Sequence, residues 1–87
     1  MSTHNAILLL SEARLRAATG QGASLRQRAG LSQADIARAT GSTRSTISRW
    51  EAGLRRPHGE PAVRWAQLLR ELKRLQQEGV SVDETAA

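Results

Sequence analysis

An 87-residue chain makes one small domain, and a domain of that size buries only about 60 to 65% of its unfolded surface, so there is little core to spare. The absence of cysteine excludes a disulfide framework and a thiolate metal site, and the two histidines, His4 and His58, follow no metal spacing. Thirteen Lys and Arg against eight Asp and Glu give a net charge of +5 and a pI near 11.5, which suits a polyanionic partner; the plainer reading is an ordinary soluble surface of an Arg-rich composition, since only Lys73 is lysine.

Met1 to Asn5 reads as a loose terminus. From Ala6 to Ala18 the apolar residues Ile7, Leu8, Leu10, Leu15 and Ala18 stand among Glu12, Arg14 and Arg16 with no breaker and no period-2 alternation, which predicts a helix. The run Ala6 to Leu10 falls far short of the roughly 20 residues that cross a bilayer. It also lacks the basic flank and cleavage site of a signal peptide, so a cytoplasmic protein is expected. Thr19-Gly20-Gln21-Gly22 interrupts the pattern, because a glycine inside a helix costs about 1 kcal/mol. A short second helix is predicted from Ala23 to Ala29.

Ser32-Gln33-Ala34-Asp35 has the Ser-x-x-acid form of a capping box, whose hydroxyl and carboxylate satisfy free amides at a helix start. A third helix therefore runs from Gln33 to Thr40, with Ile36 and Ala37 inward. Gly41 can adopt a positive φ and end it. Ser42 or Thr43 caps a fourth helix, Arg44 to Ala52, in which Ile47 and Trp50 share one face while Arg44, Ser45, Ser48 and Arg49 fall largely on the other. Leu54 to Glu60 is a basic connector. Pro61 suits the first turn of a last helix, residues 61–78. The tail, 79–87, is short and acidic, and a flexible segment is expected there. Nothing reads as a strand, so the fold class is all-α, with one domain spanning 6–78.

Two helices joined by about three residues cannot lie parallel and must cross at a wide angle, as in a helix-turn-helix. The stretch Gln33 to Gly53, with Leu25-Arg26 before it and Arg55-Arg56-Pro57 after it, resembles the helix-turn-helix of the phage Cro and repressor type, the XRE-like family. The resemblance covers Leu25 to Leu72. It implies a lambda-repressor-like bundle of about five helices, here with an extra N-terminal helix and an extended last one.

The resemblance further implies double-stranded DNA as partner, with the helix from Arg44 in the major groove. Arg44, Ser45, Ser48 and Arg49 are then candidates for base contacts, Arg44 as a bidentate reader of guanine and Arg49 as a second reader or a phosphate clamp. Gln33, Thr43, Thr46, Arg55 and Arg56 are candidates for phosphate contacts, although Thr43 serves equally as a cap and Arg56 equally as a solvated loop residue. Arg26 and Glu51 match an ion pair that joins two helices of the scaffold. Three residues depart from the family pattern: Thr40 and Ser42 flank the turn glycine where apolar residues are usual, and Gly22 stands where an apolar side chain would enter the core.

In the last helix Trp65, Leu68, Leu72 and Leu75 recur at steps of 3, 4 and 3, the spacing of a coiled-coil seam, with Ala62, Ala66 and Leu69 to one side toward the domain core; the seam residues are candidates for a homodimer interface, the alternative being one wide stripe, Leu68 and Leu69 included, packed entirely on this domain. The Ile7 to Leu10 cluster is the rival surface. The function expected is a sequence-specific transcriptional regulator, a repressor, reading a palindromic operator as a homodimer. The alternative is a protein-interaction module, an antitoxin or antiactivator that grips a toxin or other regulator through its apolar helices. No nucleophile elbow, metal-ligand cluster or phosphate-cradling glycine loop occurs, so no enzyme, catalytic residue, metal or cofactor is assigned.

Overall fold

The computed structural model describes residues 3–79. It consists of five helices: α1 (Thr3–Thr19), α2 (Gln21–Arg28), α3 (Gln33–Thr40), α4 (Arg44–Glu51) and α5 (Gly59–Gln77). The fold is all-α, and no helix among the described residues is long and apolar enough to cross a membrane. The helical turn before Ala6 was expected to be loose, yet Thr3, His4 and Asn5 simply continue α1, there being no breaker to stop it. The expected tail from Val80 onward lies outside the described residues.

The boundary between α1 and α2 is sharper than the two glycines suggest. Gly20 alone takes a left-handed conformation, φ 79°, and the chain re-enters a helix at once with Gln21. Gly22 stays helical for a packing reason: a Cβ placed there would lie 2.6 Å from Cζ2 of Trp65 and 2.9 Å from Cη2. The position is therefore not an unfilled gap in the core. The indole of Trp65 already fills it from α5.

At α3 the capping box forms in full, with the Asp35 amide donating to Ser32 Oγ at 3.0 Å and the Ser32 amide donating to Asp35 Oδ2 at 2.9 Å. Those hydrogen bonds hold the Asp35 carboxyl below its ordinary range. Gly41, φ 72°, then turns the chain, and Thr43 caps α4 by accepting from the Thr46 amide at 3.1 Å. Thr40 proves compatible with the packed side of this turn. It is fully buried, its hydroxyl lies 2.8 Å from both Ile36 O and Ser42 Oγ, and it donates to the carbonyl, so no polar atom is stranded where the family prefers a hydrocarbon.

The core is small and built around α5, whose Ala62, Trp65, Ala66, Leu69 and Leu72 face inward at helical spacing. Trp65 meets Trp50 of α4 with ring centroids 5.1 Å apart at a 45° tilt. Ile36, Ala37 and Ile47 close the angle between α3 and α4. This arrangement corrects the proposed seam on the last helix. Trp65 has no exposed surface and Leu72 is buried, because both belong to the protomer's own core, leaving only Leu68 half-buried and Leu75 at the rim.

The inward face of α1 is narrow. Leu9, Ala13 and Ala17, spaced by four, pack toward the core. The larger apolar residues lie outward: Ile7 is 62% exposed, Leu8 53% and Leu15 63%. With apolar residues on several sides of α1, spacing alone does not say which stripe faces home.

Candidate nucleic-acid interface

The corner at Gly41 orients everything on the outward side of α4. Because Ile47 and Trp50 are drawn inward, the rest of the helix must present Arg44, Ser45, Ser48 and Arg49 to solvent, and all four are exposed. Together with Gln33 from the start of α3 they line one shallow groove of about 250 Å³. Two helices thus contribute to a single polar surface carrying two guanidinium groups.

A strut beneath this surface holds it in place. Arg26 donates to Glu51 through Nε at 2.7 Å and Nη2 at 3.0 Å, and its Nη1 donates to the Leu31 carbonyl at 2.9 Å. Side-chain exposure is 13% for Arg26 and 6% for Glu51, so this bidentate pair lies beneath the surface. The hydrogen bond to the Glu51 carboxylate raises the Arg26 guanidinium above its ordinary value. Gln33 Nε2 donates to the same Glu51 at 3.0 Å. One carboxylate therefore ties α2, α3 and α4 together and fixes Gln33 at the groove's edge.

The remaining candidates divide. Thr43 and Thr46 are joined at the first turn of α4, the Thr43 hydroxyl donating to Thr46 Oγ1 at 2.9 Å while accepting from its amide, so both have structural work there. Arg55 and Arg56 extend outward on the connector after α4, but neither borders the groove of Arg44 and Arg49. Arg56 instead lines a depression beside α1, with Ile7, Leu10 and Arg14. One residue that sequence reasoning missed explains this placement. Arg14 Nε donates to the Pro57 carbonyl at 2.9 Å, binding the basic connector to α1 across 43 positions. No local pattern marks such a contact.

Residues 23–74 match the helix-turn-helix family model HTH_3, well over half of the chain. The chain belongs to the XRE-type helix-turn-helix family of DNA-binding proteins. Within this helix-turn-helix protein α3, the turn at Gly41 and α4 are the motif itself, α2 and α5 complete the matched segment, and α1 lies outside it. Comparison with curated proteins and with solved structures returned no match. Family membership makes the XRE-type chain a DNA-binding regulator with DNA as its partner.

Proposed function

We propose that the protein is a transcriptional repressor that reads a palindromic operator as a homodimer. The observation that carries this reading is the single groove formed by Gln33, Arg44, Ser45, Ser48 and Arg49. Arg44, at the first position of α4, offers two parallel donors to O6 and N7 of a guanine, and Arg49 reaches a second base or a flanking phosphate. Ser45 and Ser48 touch bases at short range. Gln33, Thr43, Thr46 and Arg55 hold the phosphates that set register, while Arg56 borders the depression beside Ile7, Ser11 and Leu15 of α1. Repression needs nothing more from the protein than occupancy of the operator.

Pairing uses the outward stripe of α1. Ile7 and Leu15 lie four residues either side of the small, exposed Ser11, and they are equally exposed. Antiparallel contact about a two-fold axis at Ser11 sets Ile7 of one protomer against Leu15 of its partner and the reverse, a self-complementary patch of the kind an isologous dimer requires. Leu15→Glu places a charge at this contact and is expected to give a monomer by sedimentation, with operator affinity reduced about 100-fold through loss of bivalent binding. A dimer that survives the substitution would move the interface to Leu68 and Leu75 of α5. A wild-type monomer that pairs only with a co-purified protein would favour the antitoxin or antiactivator reading.

Selection of bound sites from random duplexes tests the function. The expected product is an inverted repeat with half-sites about one helical turn, roughly 34 Å, apart. With about six phosphates neutralised per dimer, log K should fall against log salt with a slope near −5. Unselected sequence after several rounds would overturn the reading.

A further inference from the structure

One basic cluster plays no part in the α4 groove. A cavity of about 300 Å³ opens between α1, α2 and α5, bordered by Arg16, Gln21, Ser24, Arg28, Lys73 and Gln76, and it shares no residue with that groove. Arg16 is only 7% exposed, and a cation is almost never so buried unless paired. Its pairing is incomplete. Nη1 donates to Gln21 Oε1 at 3.2 Å, and Nη2 stands 3.7 Å from a Glu12 carboxylate that also serves Arg70 at 3.3 Å. Arg16 Nε is buried with no partner among the described residues.

The opposite wall has a matching deficit. Gln76 donates through Nε2 to the Leu25 carbonyl at 3.0 Å, which fixes its orientation and leaves Oε1 buried without a donor. The cavity thus gathers three cations, one of them incompletely paired, and one unanswered acceptor, while no acidic side chain lines it among the described residues. Arginine forks and a lysine ammonium together match a phosphoryl group. The free acceptor calls for a hydroxyl on the same ligand.

We propose that this cavity binds a compact phosphorylated hydroxy compound, a sugar phosphate or a mononucleotide. Arg16, Arg28 and Lys73 hold the phosphoryl group, and a ligand hydroxyl donates to Gln76. The volume suits a ligand of this size, standing at the lower end of small-molecule pockets. The proposal is independent of how the protein reads DNA.

Calorimetric titration with ribose 5-phosphate and with AMP, at an ionic strength of about 0.15 M so that loose charge attraction is screened, tests it. Saturable one-to-one binding of at least one probe is expected, and the tighter of the two identifies the source of the phosphoryl group. The Arg28→Glu/Lys73→Glu variant changes two residues outside the core and should bind about tenfold more weakly or worse. The Arg44→Ala/Arg49→Ala variant should bind as the wild type does, and citrate should bind far more weakly. In the wild type, ligand-induced amide shifts should concentrate at residues 16–28 and 73–77. Absence of saturable binding, undiminished binding by Arg28→Glu/Lys73→Glu, loss in Arg44→Ala/Arg49→Ala, or equal affinity for citrate would each overturn the proposal.

Discussion

Replacing Gly22 with alanine is expected to destabilise the protein by about 2 kcal/mol, although the same change in an exposed helix would stabilise it. Helix propensity favours alanine by about 1 kcal/mol. Against this, the new methyl group would sit 2.6 Å from an indole carbon of Trp65, and that ring is wholly buried against Trp50, with no free direction in which to yield. Overpacking typically costs about 1 to 3 kcal/mol, and two contacts under 3 Å with an immobile ring put this case near about 3 kcal/mol, which exceeds the propensity gain and leaves a net loss of about 2 kcal/mol. For a domain of under 100 residues the net loss corresponds to a fall of about 8 to 16 °C in Tm. Thermal denaturation of the single variant, of Trp65→Phe and of the double variant checks the cause. Phenylalanine lacks the benzo carbons that meet the methyl, so in the Trp65→Phe background Gly22→Ala should be neutral or stabilising by up to about 1 kcal/mol. Equal cost in both backgrounds would mean that Trp65 is not what excludes a side chain at Gly22.

Glu51→Ala is expected to cost about 2 to 3 kcal/mol and to weaken operator binding as well. The substitution removes the acceptor for two Arg26 donors and for Gln33, leaving a guanidinium beneath the surface with its charge unanswered. An exposed ion pair is worth far less. Arg38 with Asp35, and Arg74 with Glu71 and Glu78, are pairs of that exposed kind, and alanine at Arg74 should leave stability close to that of the wild type. Urea denaturation of Glu51→Ala and Arg74→Ala side by side measures the contrast. Glu51→Gln keeps the shape and one carbonyl acceptor, and it should fall between wild type and alanine. If Glu51→Ala were as mild as Arg74→Ala, the strut would not be what holds α2, α3 and α4 in register.

The parts of this molecule that were legible in the sequence are those whose causes are local. The capping box at Ser32 and Asp35, the left-handed glycine at 41 and the Thr43 cap all act within four residues, so α3, the turn and α4 could be placed to within about a residue. The outward polar face of α4 followed from Ile47 and Trp50 sharing the inner one. What resisted reading was set by contacts between distant segments. The fit of Gly22 under Trp65 looked like a gap, because the filling side chain comes from 43 positions away. The spacing of Trp65 and Leu72 fits a second surface as well as a core, since helical spacing does not say that α5 spends both residues on its own protomer. Spacing likewise does not say that Leu9, Ala13 and Ala17 are the residues of α1 that face the core while the bulkier Ile7, Leu8 and Leu15 face outward. The tie from Arg14 to the Pro57 carbonyl left no trace in composition or period.

The central claim is that the groove of Arg44, Ser45, Ser48 and Arg49 reads base edges while the connector beyond α4 grips only phosphate. Affinities of wild type, Arg44→Ala and Arg55→Ala for a selected operator and for every single-base variant of one half-site measure this directly. The account predicts that Arg44→Ala loses about 1 to 3 kcal/mol on the operator and becomes indifferent to one base pair per half-site, while Arg55→Ala weakens all the sequences alike. Uniform weakening of every sequence by Arg44→Ala, with base preference intact at all positions, would contradict it.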